Sequence, residues 1–123
     1  MSFLIDTHVL LWWLVDDPSL TPVHRDLIAD GTAEVYVSSI TIAEISIKVS
    51  IGKLSIPEGL NDAIIATGFQ ELPFTFRHAA QLRNLPWHHR DPFDRMLVSQ
   101  AMVDGLVFLT ADPRCREYDV VVR

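Results

Sequence analysis

The sequence predicts an α/β fold in which a parallel β-sheet is sandwiched between layers of α-helices. Two observations lead to this prediction. Short apolar runs without polar alternation lie at both ends of the chain, at residues 3–5, 106–109 and 120–122. Such runs are typical of strands buried on both faces, as in a parallel sheet covered by helices. Helical segments separate the strand candidates, and this alternation indicates a three-layer α/β/α sandwich.

The elements follow in order along the chain. After the first strand, the pattern predicts helices over residues 7–14 and 22–29, and a weaker strand over 35–37. Later helices are predicted over residues 57–67, 76–84 and 92–104, with another weak strand over 72–75. Pro22 and Pro92 favour helix starts, because proline suits the first helical position.

Residues 40–51 are ambiguous. Their isoleucines nearly alternate with polar residues, which favours a strand. Against this, Ser38 and Ser39 can cap a helix, Thr41 and Glu44 have capping-box spacing, and Gly52 is a natural helix end. Periodicity leaves both interpretations open.

Composition limits the class of protein. The chain has 123 residues, which is the size of one domain spanning 1–123. Its 49% hydrophobic and 21% charged residues indicate an ordered globular protein. The net charge of −6 excludes a broad basic face for DNA. A single cysteine, Cys115, excludes a disulfide framework or a cysteine zinc site.

No targeting segment is evident in the sequence. Residues 1–5 lack a basic region, and the apolar stretch 9–15 is too short to span a membrane. We therefore expect a cytoplasmic protein with no membrane association.

Carboxylates stand out by their positions. Asp6 directly follows the first apolar run, and Asp112 follows residues 106–109 by three positions. Residues just past the carboxyl ends of parallel strands line the ligand crevice of such sheets. Taken singly, Asp6 also suits a helix cap and Asp112 also suits the start of a turn.

Glu44, Asp91 and Asp94 are the other candidates. On a helix, Glu44 would lie in an apolar stripe, although a pair with Lys48 would also explain it. Asp91 before Pro92 suits a helix cap, whereas Asp94 lines up with apolar residues of the same helix and should point inward.

Several carboxylates in one pocket would repel one another and raise their pKa values. A divalent cation removes this penalty, and oxygen ligands favour Mg²⁺ or Mn²⁺. Such an ion can polarise a phosphate and activate a water molecule. This interpretation depends on the fold bringing the carboxylates together.

Four segments, in this order, resemble PIN-domain proteins, and most closely the VapC-like ribonuclease toxins of toxin–antitoxin pairs. They are residues 4–12, 38–44, 89–97 and 109–112, so the resemblance covers nearly the whole chain. The resemblance implies a PIN-like fold in which residues 40–51 form a helix. It also implies that Asp6, Glu44, Asp94 and Asp112 are the catalytic, metal-binding acids, with Asp91 a ligand or only a cap.

The implied activity is hydrolysis of RNA with Mg²⁺ or Mn²⁺ by a homodimer that a cognate antitoxin inhibits. Thr110 matches a hydroxyl position near the family site, which makes it a candidate substrate contact. Residues 77–95 hold four arginines and only two acids, which offers a local basic rim for RNA despite the net charge. Arg90, Arg95 and Trp87 are therefore candidate substrate contacts. Trp12 and Trp13, in an apolar helix, suit core or dimer packing better.

Two other functions remain. A PIN-domain nuclease could serve RNA processing without being a toxin. A receiver-like signalling domain is also small and acidic, but it needs a lysine after a late strand, and the last lysine here is Lys53.

Overall fold

The computed structural model describes all residues, Met1–Arg123, and confirms the predicted α/β class. Four parallel strands form one sheet in the order β3-β2-β1-β4. They are β1 (Ser2–Ile5), β2 (Glu34–Ser38), β3 (Gln70–Leu72) and β4 (Val107–Leu109). The strand β1 is central, and Leu4 is in register with Tyr36 of β2 and Phe108 of β4.

Six α-helices connect and cover the strands. They are α1 (Thr7–Leu14), α2 (Pro22–Ala29), α3 (Ser39–Ser50), α4 (Leu60–Ala66), α5 (Phe76–Gln81) and α6 (Pro92–Asp104). Two 3₁₀ turns, Leu82–Asn84 and Pro113–Glu117, complete the chain. No helix is both long and apolar enough to cross a membrane.

Each face of the sheet has its own core, because successive side chains of a strand point to opposite faces. Phe3 and Ile5 pack on one face with residues of α1, α2 and α4. Leu4 packs on the other face with Leu97 and Val98 of α6. All five side chains are at most 2% exposed, so both faces of β1 are buried. This explains why the sequence of β1 is apolar without alternation.

The ambiguous segment is a helix. Ser38 caps α3, and its hydroxyl accepts a hydrogen bond from the Ile40 backbone N–H. Ile45 enters the first core, whereas Ile47 and Ile51 are 48% and 59% exposed. The isoleucines are therefore spread around the helix, which produced the near-alternation in the sequence.

Several predicted bounds need correction. The predicted strand at 72–75 lies at Gln70–Leu72, and the chain leaves the sheet at Pro73, which has no N–H to donate. The predicted strand at 120–122 forms only one bridge to β4, between Phe108 and Val122. The predicted helix at 57–67 begins only at Leu60, after Gly59 with a φ of 80°. The helix predicted over 76–84 ends at Gln81 and continues as a 3₁₀ turn.

Candidate functional site

The site lies at the carboxyl edge of the sheet, where β1 and β4 end side by side. Asp6 follows β1, and Thr110 follows β4. One carboxylate oxygen of Asp6 accepts a hydrogen bond from the Val9 N–H (2.8 Å), which caps α1. The other accepts one from the Thr110 hydroxyl (2.5 Å). Asp6 is therefore both a helix cap and a buried carboxyl at the strand end.

Burial raises the pKa of Asp6 above its ordinary value, although the bonds from Thr110 and Val9 lower it. These two donors stabilise the charged form, and no Lys or Arg forms a salt bridge with Asp6. This is the electrostatic setting in which an added cation would stabilise the carboxylate.

Glu44 is buried on α3, as its place in an apolar stripe predicts. The Thr7 hydroxyl donates to its Oε1 (2.7 Å), and the Lys48 ammonium lies 2.9 Å from its Oε2. This bond to Glu44 raises the pKa of Lys48, and the charges of Asp91 and Asp94 contribute to the rise. Lys48 thus places a fixed positive charge beside the carboxylates.

Asp91 and Asp94 have different environments at the start of α6. Asp91 Oδ1 accepts hydrogen bonds from the N–H groups of Phe93 (2.9 Å) and Asp94 (3.3 Å), so it caps the helix. Burial raises the pKa of Asp94 to about 6, and the negative charge of Asp91 adds to the rise. The negative charge of Asp6 makes a smaller contribution to the same rise.

The His89 ring contacts the carboxylates of both Asp94 and Asp112. Its Nδ1 accepts a hydrogen bond from the Asp91 N–H (3.2 Å), so in the neutral ring the proton is on Nε2. Nε2 lies 2.8 Å from Asp94 Oδ2 and 3.1 Å from Asp112 Oδ2. A single N–H therefore lies between two carboxylates and offsets their repulsion.

His89 was missed in the sequence. The adjacent pair His88-His89 lacks the spacing of a helical metal site, so the sequence did not indicate His89 as a site residue. The ring reaches Asp94 from a loop, and loops have no periodicity. A signal was nevertheless present, because His89 lies two residues before the Asp91 cap, close to the first turn of α6.

Asp112 forms a salt bridge with Arg114. The Arg114 guanidinium donates from Nε (3.1 Å) and Nη2 (2.8 Å), and these bonds keep the pKa of Asp112 below its ordinary value. Asp112 thus stays ionised near neutral pH, whereas the pKa of Asp94, at about 6, is much closer to neutral.

The site can hold a small cation. One ligand atom each of His89, Asp94 and Asp112 lie within 4.8 Å of one another. Because His89 Nε2 carries the proton in the observed hydrogen-bonding arrangement, the carboxylate oxygens are the available donors. Hard oxygen donors suit Mg²⁺ or Mn²⁺. Asp6 and Glu44 lie outside this cluster of three: Asp6 is hydrogen-bonded to Thr110 and Val9, and Glu44 to Thr7 and Lys48.

The candidate substrate residues are placed differently from one another. Arg90 and Trp87 are exposed on the loop before α6. Arg95 is 5% exposed, and its guanidinium donates to backbone carbonyls of that loop. Arg95 was predicted to lie on an exposed basic rim, and this prediction is wrong because the side chain is buried. The cause is the loop of residues 85–89, which lies against α6 and supplies backbone carbonyls to the guanidinium.

The family model described as the PIN domain matches residues 3–121. This chain belongs to the PIN domain family. The match spans all six helices and all four strands except Ser2, the first residue of β1, and it includes Asp6, Glu44, Asp94 and Asp112. The membership predicted from four short segments is thereby confirmed. A comparison with curated protein sequences found no match.

Solved structures share this PIN fold at low sequence identity. VapBC2 from Rickettsia felis, bound to a DNA fragment from its promoter, is similar with a TM-score of 0.75 and 14% identity, over 100% of this chain and 98% of that one. DNA-bound VapBC from Salmonella typhimurium has a TM-score of 0.72 and 18% identity, over 100% of this chain and 97% of that one. FitAcB from Neisseria gonorrhoeae has a TM-score of 0.64 and 23% identity, over 98% of this chain and 95% of that one.

A metal-binding prediction follows from the geometry of the PIN site. Saturating Mn²⁺ should raise the melting temperature, with a stabilisation of about 2.7 kcal/mol at a hundred times the dissociation constant. Asp112→Asn should lose most of this shift, because it removes a donor of the cluster. The measurement is a thermal melt with and without Mn²⁺. Asp26→Asn, which removes an exposed acid of α2, is the control and should keep the shift. Equal shifts in both variants would contradict the site.

Proposed function

We propose that this PIN domain is a metal-dependent endoribonuclease that acts as the toxin of a toxin–antitoxin pair. The observation that carries the proposal is the pairing of the Asp94 and Asp112 carboxylates around His89, at the strand ends of a PIN domain. The catalytic residues proposed are Asp6, Glu44, Asp94 and Asp112. Thr110 is a positioning residue, because its hydroxyl bonds Asp6.

Asp94 and Asp112 would hold Mg²⁺ or Mn²⁺, with Asp6 beside them and Asp91 remaining the helix cap. When bound, such an ion supplies electrophilic activation of a phosphate and lowers the pKa of a bound water. The chain's own contribution is positioning. The N–H of His89 sets the separation of the two carboxylates, and the hydroxyl of Thr110 orients Asp6.

Proton transfer is the second contribution of the chain. Asp94, whose Oδ2 accepts a hydrogen bond from His89 Nε2, would orient an attacking water and accept its proton. The salt bridge with Glu44 holds the Lys48 ammonium in place, and this positive charge would attract a phosphate oxygen. Products would be RNA fragments from hydrolysis of one phosphodiester bond.

The proposed partner is an antitoxin protein that blocks the acidic pocket. The similar solved structures from Rickettsia felis and Salmonella typhimurium are VapBC assemblies. In this chain, Arg114 already makes a two-point contact with Asp112, which shows that the site accepts a guanidinium. An arginine of the partner would therefore be directed to Asp94 and its neighbours. A homodimer remains part of the proposal.

The direct test is a cleavage assay on a pool of cellular RNAs with Mg²⁺, Mn²⁺ or a chelator, followed by mapping of the cut ends. We expect cleavage with either metal and none with the chelator. Metal-independent cleavage, or no cleavage at all, would overturn the nuclease assignment.

A second experiment separates a toxin from a nuclease of RNA processing. Pull-down from the native host should recover a small partner that abolishes cleavage, and overproduction of the chain alone should stop growth. Recovery of an active chain that has no partner and does not affect growth would leave the processing role.

A further inference from the structure

Trp87 has an unusual environment for a tryptophan. It is 76% exposed, yet one ring face is covered by the guanidinium of Arg95, whose central carbon lies 3.7 Å from the ring centre. A guanidinium stacked on a tryptophan face is an attractive cation–π contact. The opposite face of the ring has no aromatic or cationic partner in the structure.

Arg95 is itself held in place. Its Nη1 donates to the Pro86 carbonyl (2.7 Å) and the Tyr118 hydroxyl (3.2 Å), and its Nη2 donates to the Leu85 carbonyl (3.1 Å). These bonds fix the guanidinium, which in turn fixes the ring. The Trp87 ring would therefore lose little conformational entropy when a ligand stacks on it, and preorganisation of this kind increases affinity.

The surroundings of Trp87 indicate what the ligand is. Arg90 is exposed and lines the same surface depression as Trp87. An open aromatic face beside a free cation matches an unpaired base followed by its phosphate. A protein-docking surface would instead have an apolar core around the aromatic side chain, and the neighbours Pro86, His88 and Arg90 do not form one.

The depression is close to the proposed active site along the chain. Trp87 is two residues before His89, which bonds Asp94 and Asp112, and Arg95 directly follows Asp94. The same short loop and helix start thus carry the stacking face and the carboxylates.

We infer that Trp87 is a base-stacking platform for single-stranded RNA, with Arg90 contacting the adjacent phosphate. This inference rests on the proposed ribonuclease function and adds a substrate subsite to it. The subsite would place an unpaired nucleotide next to the cleavage position, so single-stranded RNA would be preferred over duplex.

The test measures RNA binding separately from cleavage. Fluorescence anisotropy would be recorded with a labelled ten-nucleotide uridine RNA and Mn²⁺, in an Asp94→Asn chain so that the RNA stays intact. Adding Trp87→Ala should weaken binding about tenfold, which is within the range for loss of one stacked base. Trp87→Phe should recover most of the affinity. Phe76→Ala is the matched control, because Phe76 is 95% exposed at the start of α5 and outside the depression; it should bind like its parent.

A second RNA separates stacking from a structural effect. On a ten-residue RNA backbone without bases, the parent and Trp87→Ala chains should bind equally, since no base is present to stack. Equal binding of uridine RNA by both chains would overturn the platform and leave the nuclease proposal standing. A loss that persists on the base-free RNA, or no RNA binding by the parent, would also overturn it. Cleavage by the wild-type chain tests the nuclease proposal independently.

Discussion

Replacing Asp94 with Asn is expected to lower the rate of RNA cleavage by more than a hundredfold while the fold stays intact. Asp94 combines the features that the proposed chemistry needs. It is half-buried, it bonds His89 Nε2, and it offers a carboxylate oxygen to the cluster with Asp112. Loss of an outer-shell partner of a metal site costs about 10–100-fold, and a direct ligand should cost more. The measurement is the initial rate of cleavage with saturating Mn²⁺.

Asp91→Asn is the matched control, three residues away on the same helix start. Asparagine is as good a cap as aspartate, so the hydrogen bonds to the Phe93 and Asp94 N–H groups should survive. This variant should keep activity within about tenfold. Equal and complete loss in both variants would mean that Asp91 also binds the metal.

Stability supplies a second readout for Asp94. The raised pKa means that the folded chain binds a proton more tightly than the unfolded chain between pH 3.8 and about 6. The contribution of this group to stability therefore falls as pH rises through that interval. Asp94→Asn removes the dependence, so without metal it should be more stable than the wild type above pH 6. Urea unfolding of both chains at pH 4 and pH 7.5 measures this difference. A variant less stable than the wild type at pH 7.5 would contradict the prediction.

Arg95→Met is expected to cost about 2–4 kcal/mol in free energy of unfolding, within the range for a broken buried polar network. The methionine keeps much of the apolar stem but leaves the carbonyls of Leu85 and Pro86 without their donor. The urea midpoint measures the effect. The loop that carries Trp87 and His89 should loosen as well, because the same guanidinium holds it.

Arg90→Met is the control for Arg95, since it removes a neighbouring exposed arginine. Its effect on the free energy of unfolding should stay within about 0.5 kcal/mol. If the two variants had the same urea midpoint, the hydrogen bonds of Arg95 would contribute nothing to stability.

Much of the fold was predictable because local signals agreed with one another. The helix α6 was predicted at its observed bounds, since Asp91 and Pro92 mark its start and Gly105, with a φ of 64°, follows its end. The unbroken apolar run of β1 indicated a strand with both faces buried, which the two cores confirm. Signals were poorer for β3, a strand of three residues at the sheet edge that buries little of its surface.

The sequence by itself also determined which carboxylates to consider. Asp6 and Asp112 follow apolar runs, and Glu44 and Asp94 lie on apolar helix faces, so each has a local reason to point inward. The position of Arg95 was not determined in this way. A charged residue at a helix start usually faces solvent, and only the loop of residues 85–89 folding over α6 supplies carbonyls to a buried guanidinium.

Only the tertiary structure decided which side chains share a site. The carboxylates of Asp94 and Asp112 are 18 positions apart in the sequence, and no local pattern relates them to each other or to His89. They meet because α6 leads into β4 and begins near the end of that strand, where the loop with His89 contacts both carboxylates. The hydrogen bond from Asp91 to His89 then directs the imidazole N–H between the two carboxylates. Spacing along a helix or strand can predict a face, but a hydrogen bond across a loop depends on the assembled fold.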